Sequence, residues 1–248
     1  MLEYDFMRHA FAAAAVVAVV AGLVGYFLVL RGQTFAGHGL SHIAFAGATG
    51  AALFGLSPLW GALGDRLSGR DVTIGVVVSL SLGFGILFLK LTTTNAANAT
   101  SLLFGSVLAV SPATLSGLLV LGPLTLLALA VISRPLLFAT LQPELAEAKG
   151  VSPRLFGVMF LALVAMAVSQ SIQIVGVLLV FTLLVGPPAA AQLLTSRLVP
   201  GIALSALLAV AQGWLGITIA YYTDWPASFW ITALSALVYG AAVAMRHR

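Results

Sequence analysis

AFAAAAVVAVVAGLVGYFLVL, residues 10–30, carries no charged side chain and stops at Arg31. At a helical rise of 1.5 Å per residue it reaches about 31 Å, enough to cross a hydrocarbon core of about 30 Å. In lipid a backbone of this kind must satisfy its own hydrogen bonds, so the run is read as a transmembrane helix. The residues before it, 1–9, precede an apolar run longer than a signal h-region and show no cleavage-site pattern, so this first span is expected to be retained.

Composition extends the reading to the whole chain. Of 248 residues 61% are hydrophobic and 7% charged, and the mean hydropathy is +1.12; soluble domains carry about 25% charged residues. The sequence predicts an all-α, polytopic transmembrane bundle of about eight to nine spans. With so little polar surface, residues 1–248 are expected to form a single transmembrane domain with short loops. The net charge of +4 sits at segment ends, which suits orientation in a membrane and contact with lipid headgroups, not nucleic acid. Cysteine is absent, so disulfides and thiolate ligands are excluded, and any metal must be held by His, carboxylate or backbone oxygen.

Further apolar runs follow at 72–91, 113–132, 155–168, 174–194, 199–220 and 229–245, with a half-length run at 101–110 read as interfacial or re-entrant. The longest polar connection, 133–154, carries Arg134, Lys149 and Arg154 and is assigned to the cytoplasm by the positive-inside rule. Ser196-Arg197 and the C-terminus then fall inside. Ser169-Gln170-Ser171 and the Tyr221 to Pro226 turn fall outside.

Three patterns carry chemistry. Gly37-His38-Gly39-Leu40-Ser41-His42 puts two histidines four residues apart, on one face of a helix. They are read either as hydrogen-bonded residues at a helix start or as half of a tetrahedral metal site, which suits a carrier that must release its ion. Pro143-Glu144-Leu145-Ala146-Glu147-Ala148-Lys149-Gly150 has proline at its start, acids early, lysine late and glycine past the end, the signature of a short capped helix. Gly186-Pro187-Pro188 closes an apolar run, either as a break packed against protein or as a plain helix end. Nucleotide-binding and hydrolytic motifs are missing, so the chain is expected not to be an enzyme and not to hydrolyse ATP.

Taken in order, these residues resemble the membrane permeases of zinc and manganese ABC importers. The likeness rests on Arg31 with Phe35 to His42, then Pro143 to Gly150, then Val175-Gly176-Val177-Leu178-Leu179-Val180 through Pro187, with weaker matches at Leu103-Phe104-Gly105-Ser106 and Tyr222-Thr223-Asp224. The resemblance implies an ATP-driven permease of the bacterial cytoplasmic membrane, with no permanent cofactor and Zn²⁺ or Mn²⁺ as cargo. His38 and His42 would bind the metal, Pro143, Glu144, Glu147 and Gly150 would couple to the ATPase, and Asp224 would lie where a binding protein docks. The implied partners are a pair of ATPase subunits, a periplasmic or surface metal-binding protein and a second copy of the chain. The family usually has aspartate where His38 stands, and imidazole in its place favours zinc on ligand softness. The chain also lacks a further span before Asp65 to Asp71, so either a hairpin of two short helices within 35–64 or an absent stretch is expected. The rival readings are a proton-coupled secondary metal carrier and an ABC permease for a metal chelate such as a siderophore.

Overall fold

The computed structural model describes residues 3–34, 80, 83, 84, 87 and 110–246, and seven helices are delimited among them. They are α1 (Asp5–Leu30), α2 (Pro112–Leu141), α3 (Pro143–Ala148), α4 (Pro153–Val175), α5 (Val177–Leu194), α6 (Leu198–Thr223) and α7 (Ala227–Arg246). No strand occurs among the described residues. Five helices, α1, α2, α4, α6 and α7, are long and apolar enough to cross a membrane. α5 is an apolar helix of 18 residues beside them. The hairpin expected within 35–64 lies outside the described residues. So do most of the expected span at 72–91, where Leu80, Gly83, Phe84 and Leu87 are helical and exposed, and the half-length run at 101–109.

α1 is the centre of the bundle, packing against α2, α4, α5 and α6. Lipid supplies no hydrophobic drive between helices, so close approach of small residues does the work. A Cβ added at Gly22 would meet Ala206 Cα at 2.9 Å and Ser205 O at 3.0 Å on α6. One added at Gly25 would collide with the Leu184 carbonyl and come within 2.9 Å of Pro188 Cγ on α5. Ser205 Oγ donates to Gly22 O across the first of these seams (2.7 Å), and Gln192 Nε2 donates to Tyr26 O across the second (2.9 Å). Against α2 and α4, α1 buries Val17, Val20, Val24, Phe27 and Leu28 among Leu118, Leu129, Leu136, Phe160 and Val164.

These contacts fix the direction of every helix. The ends of α1 and α2 meet the start of α4 through Arg31, while Gln192 near the end of α5 and Gly201 near the start of α6 both lie at Tyr26. At the other end Trp214 Nε1 of α6 donates to Phe11 O of α1 (3.1 Å). α7 packs back along α6 and α5, with Ile231 against Gly216 and Ser235 against Gly186. Of the described lysines and arginines, all but Arg8 therefore gather at the Arg31 end: Arg31, Arg134, Lys149, Arg154, Arg197 and Arg246. Asp5, Asp224 and the junction of α4 with α5 lie at the opposite end.

Three boundaries differ from those expected from sequence. Ser169-Gln170-Ser171 is not a loop but lies within α4: Ser171 Oγ donates to Ala167 O (2.6 Å) and Gln170 Nε2 donates to Thr125 Oγ1 on α2 (3.1 Å), while Gln170 Oε1 is buried without a partner among the described residues. The turn falls instead at Gly176, whose φ of 79° and ψ of 161° belong to a region open to glycine almost alone. α2 does not end at residue 132 but continues through Ser133, Arg134 and Pro135 to Leu141. Pro187-Pro188 stands inside α5 and does not terminate it. The two rings remove the donors that would reach the Leu183 and Leu184 carbonyls, and Gly25 packs its bare Cα against the second of these.

Candidate functional site

The basic end of the bundle is built around α3. Pro143 occupies the first helical position, where its missing N–H costs nothing, and Glu144 follows in the first turn, favourable to the helix dipole. The helix ends in a Schellman motif: Val151 N donates to Ala146 O (2.8 Å), Gly150 N donates to Glu147 O (3.0 Å), and Gly150 takes φ 79°. Ala146, fully buried, is the one residue of α3 turned into the bundle. Pro143, Glu144, Leu145, Glu147 and Ala148 are all exposed. α3 is thus a short helix closed at its C-terminal end, with two carboxylates and a leucine presented outward.

Behind α3, Arg31 joins three helices. Its Nη1 donates to Thr140 Oγ1 near the end of α2 (2.6 Å), and its Nε donates to Gln33 Oε1 (3.0 Å). The guanidinium carbon lies 5.8 Å from the centre of the Phe160 ring on α4, within cation–π range. Gly157, one turn earlier on α4, leaves room for the group, since a Cβ there would stand 3.3 Å from Nη2. Thr140 passes the chain on by donating to Leu136 O (2.6 Å). Among the described residues no carboxylate pairs with Arg31. Partial burial lowers its pKa from the ordinary arginine value by desolvation, yet a guanidinium stays cationic in a protein. Lys149 in turn sits over the Phe138 ring at 5.9 Å, tying the end of α3 to α2.

At the opposite end Asp224 caps α6 in the left-handed region, φ 55°, where short polar side chains are tolerated best after glycine. It is exposed, and around it lie Tyr221, Tyr222, Trp225, Phe229 and Trp230, with ring centres 5.2 to 5.8 Å apart within the cluster. Trp230 Nε1 donates to Thr223 Oγ1 (3.0 Å), which fixes the turn.

Of the residues singled out in the sequence, Pro143, Glu144, Glu147 and Gly150 come together on α3 and its cap, and Asp224 stands alone at the far end. His38 and His42 lie outside the described residues. Among the described residues no three His, Cys, Asp or Glu side chains cluster as a metal site would require. The junction of Arg31 with Thr140, Gly157 and Phe160 was not foreseen. Its signal in the sequence was slight, a single cation closing an uninterrupted apolar run.

The bundle of apolar helices presents a short exposed helix at its basic end, and comparison with known proteins defines the class. The sequence model of the ABC 3 transport family matches residues 3–246. The chain belongs to the ABC 3 transport family. It is 29% identical to a manganese transport system membrane protein of Halalkalibacterium halodurans, over 90% of this chain and 82% of that protein. It is 28% identical to the manganese import system permease protein of Streptococcus gordonii, over 96% of this chain and 90% of that one. Among solved structures it is similar to PsaBC from Streptococcus pneumoniae in complex with Fab, with a TM-score of 0.90, 26% identity, and 97% and 92% of the two chains covered.

Proposed function

We propose that this chain is the permease subunit of an ATP-driven importer that moves a divalent transition metal ion across the bacterial cytoplasmic membrane by alternating access. The observation that carries the reading is the family match over residues 3–246. It is supported by the exposed α3, the kind of element a cytoplasmic ATPase can push against. In this reading Pro143, Glu144, Glu147 and Gly150 seat in the ATPase, the basic end and the C-terminus face the cytoplasm, and Asp224 faces the binding protein on the other side. The chain forms one transmembrane domain of eight to nine spans and works with two ATPase subunits, a metal-binding protein and a second copy of itself. His38 and His42 hold the ion in transit.

Manganese stands first as cargo, because the two permeases from H. halodurans and S. gordonii are named for manganese transport. Zinc is the second reading, favoured by an imidazole at His38 where a carboxylate would suit a harder ion better. A secondary carrier and a chelate permease remain as rivals, and a relative from Haemophilus influenzae bears an iron transport name. One experiment separates them. The permease, reconstituted with its ATPase and binding protein, is assayed for ATP hydrolysis with manganese, zinc, iron and a ferric chelate. Stimulation by manganese or zinc is expected, with His38→Asp moving the preference toward manganese and His42→Ala abolishing uptake. Metal uptake without any ATPase would overturn the reading in favour of a secondary carrier.

A further inference from the structure

We propose that Arg31 is a positioning residue that clamps the C-terminal end of α1 to the corner formed by α2, α3 and α4, so that displacement of α3 is delivered to α1. The coupling half of this inference rests on the reading of α3 as the ATPase seat; the clamp itself does not.

α3 has one buried residue, Ala146, and is joined to α2 by the single residue Gln142 and to α4 by residues 149–152. A force applied to α3 therefore moves the end of α2 and the start of α4. α1 is the helix that packs on α2, α4, α5 and α6 together, so whatever moves α1 moves the bundle. Apolar contact alone couples these elements loosely along their length, because valine and leucine faces can slide. At the Arg31 end the contact is directional. One guanidinium donates to Thr140 on α2 at 2.6 Å, stands over the Phe160 ring of α4 at 5.8 Å, and is oriented by Gln33 at 3.0 Å.

The side chain suits the task. The planar fork serves two acceptors in a fixed geometry while its charge lies within cation–π range of an aromatic ring, and lysine offers a compact point charge on a flexible stem that lacks that fork. Gly157 lies where any larger residue would crowd Nη2. Among the described residues the cation is held by a hydroxyl, an amide and a ring. Loss of a hydrogen bond to a charged group shifts the balance between the clamped and the released arrangement by about tenfold or more.

Two measurements test it on the intact chain. The protein has no cysteine, so spin labels can be placed at Thr34→Cys and Ala148→Cys without background. In Arg31→Ala the distance distribution between them should broaden relative to the parent, in Arg31→Lys it should fall between the two, and Thr140→Val, which keeps the charge, should broaden it partway. In the reconstituted complex, Arg31→Ala should raise the ATP consumed per metal ion imported about tenfold, with assembly and basal hydrolysis unchanged. A merely structural role would lower assembled complex and both activities in proportion. An unaltered distance distribution in Arg31→Ala and Thr140→Val overturns the clamp. A broadened one with unaltered ATP per ion overturns the coupling. Absence of metal uptake by the parent complex would strike the reading of α3 and leave the clamp to the spin labels.

Discussion

Gly25→Ala should cost this protein more than any other single methyl group added along α1. The added carbon would overlap the Leu184 carbonyl oxygen and carbon and approach Pro188 Cγ at 2.9 Å. None of these can turn aside: the first two are backbone of α5, and the third is part of a ring fixed to that backbone. Relief requires α1 and α5 to separate along a seam that also holds the Gln192 to Tyr26 hydrogen bond. Overpacking of a filled interior costs about 1–3 kcal/mol where side chains can shift, and here only backbone can, so at least about 3 kcal/mol is expected. That amounts to more than a hundredfold in the ratio of folded to unfolded protein. The control is Gly117→Ala on α2, where an added Cβ meets nothing within 4 Å among the described residues and the helix should gain about 0.5–1 kcal/mol. Both variants would be purified in detergent and unfolded by heat, with monodispersity followed by size exclusion. Gly25→Ala matching the parent in stability would refute the account of the α1–α5 seam.

The remaining predictions concern a buried amide and the orientation of the chain. Gln212 on α6 is 2% exposed and neither amide atom has a partner among the described residues, so Gln212→Met, similar in shape and apolar, should raise stability by about 1 kcal/mol, the cost of a desolvated amide removed; a lower unfolding temperature would reveal a partner that the amide needs. Ala148→Cys should react with a membrane-impermeant maleimide only in inside-out vesicles, and Asp224→Cys only in right-side-out cells, since α3 and the α6–α7 turn lie at opposite ends of the bundle. Labelling of both from one side would refute the topology.

The parts of the fold that were legible in the sequence are those where one physical rule acts alone. α1, α6 and α7 are unbroken apolar runs, and the observed helices exceed the expected ones by a few residues, at the start alone for α1 and at both ends for α6 and α7. α3 was legible because capping is local: Pro143, Glu144 and Gly150 each meet a requirement of the helix terminus within four residues of themselves. The errors arose where a local stop signal was overruled by a distant partner. Ser169-Gln170-Ser171 reads as a connector between spans, yet Gln170 donates to Thr125 on another helix and α4 runs on past it. Ser133-Arg134-Pro135 reads as the start of a loop, yet Ser133 Oγ returns its proton to Ala130 O, and Arg134 sits two turns from the end of α2, within reach of water for a long side chain.

The same distinction separates the two halves of the basic end. α3 could be named from eight consecutive residues, whereas the junction behind it joins Arg31 to Thr140 across a separation of 109 positions. Nothing near Thr140 in the sequence marks it as the acceptor for a cation, and Gly157 gives no sign that its missing side chain leaves room for a guanidinium. The turn at Gly176 is the converse case. Its flanks, Val175 and Val177, are residues that would prolong an apolar run, and only the return of α5 toward Tyr26 requires the chain to reverse there. A membrane protein of this kind hides its turns because polar loops are not needed where a single glycine can reverse the chain. Its polar side chains then become poor markers of boundaries, since a partner on a neighbouring helix can take the place of water, as Thr125 does for Gln170 Nε2.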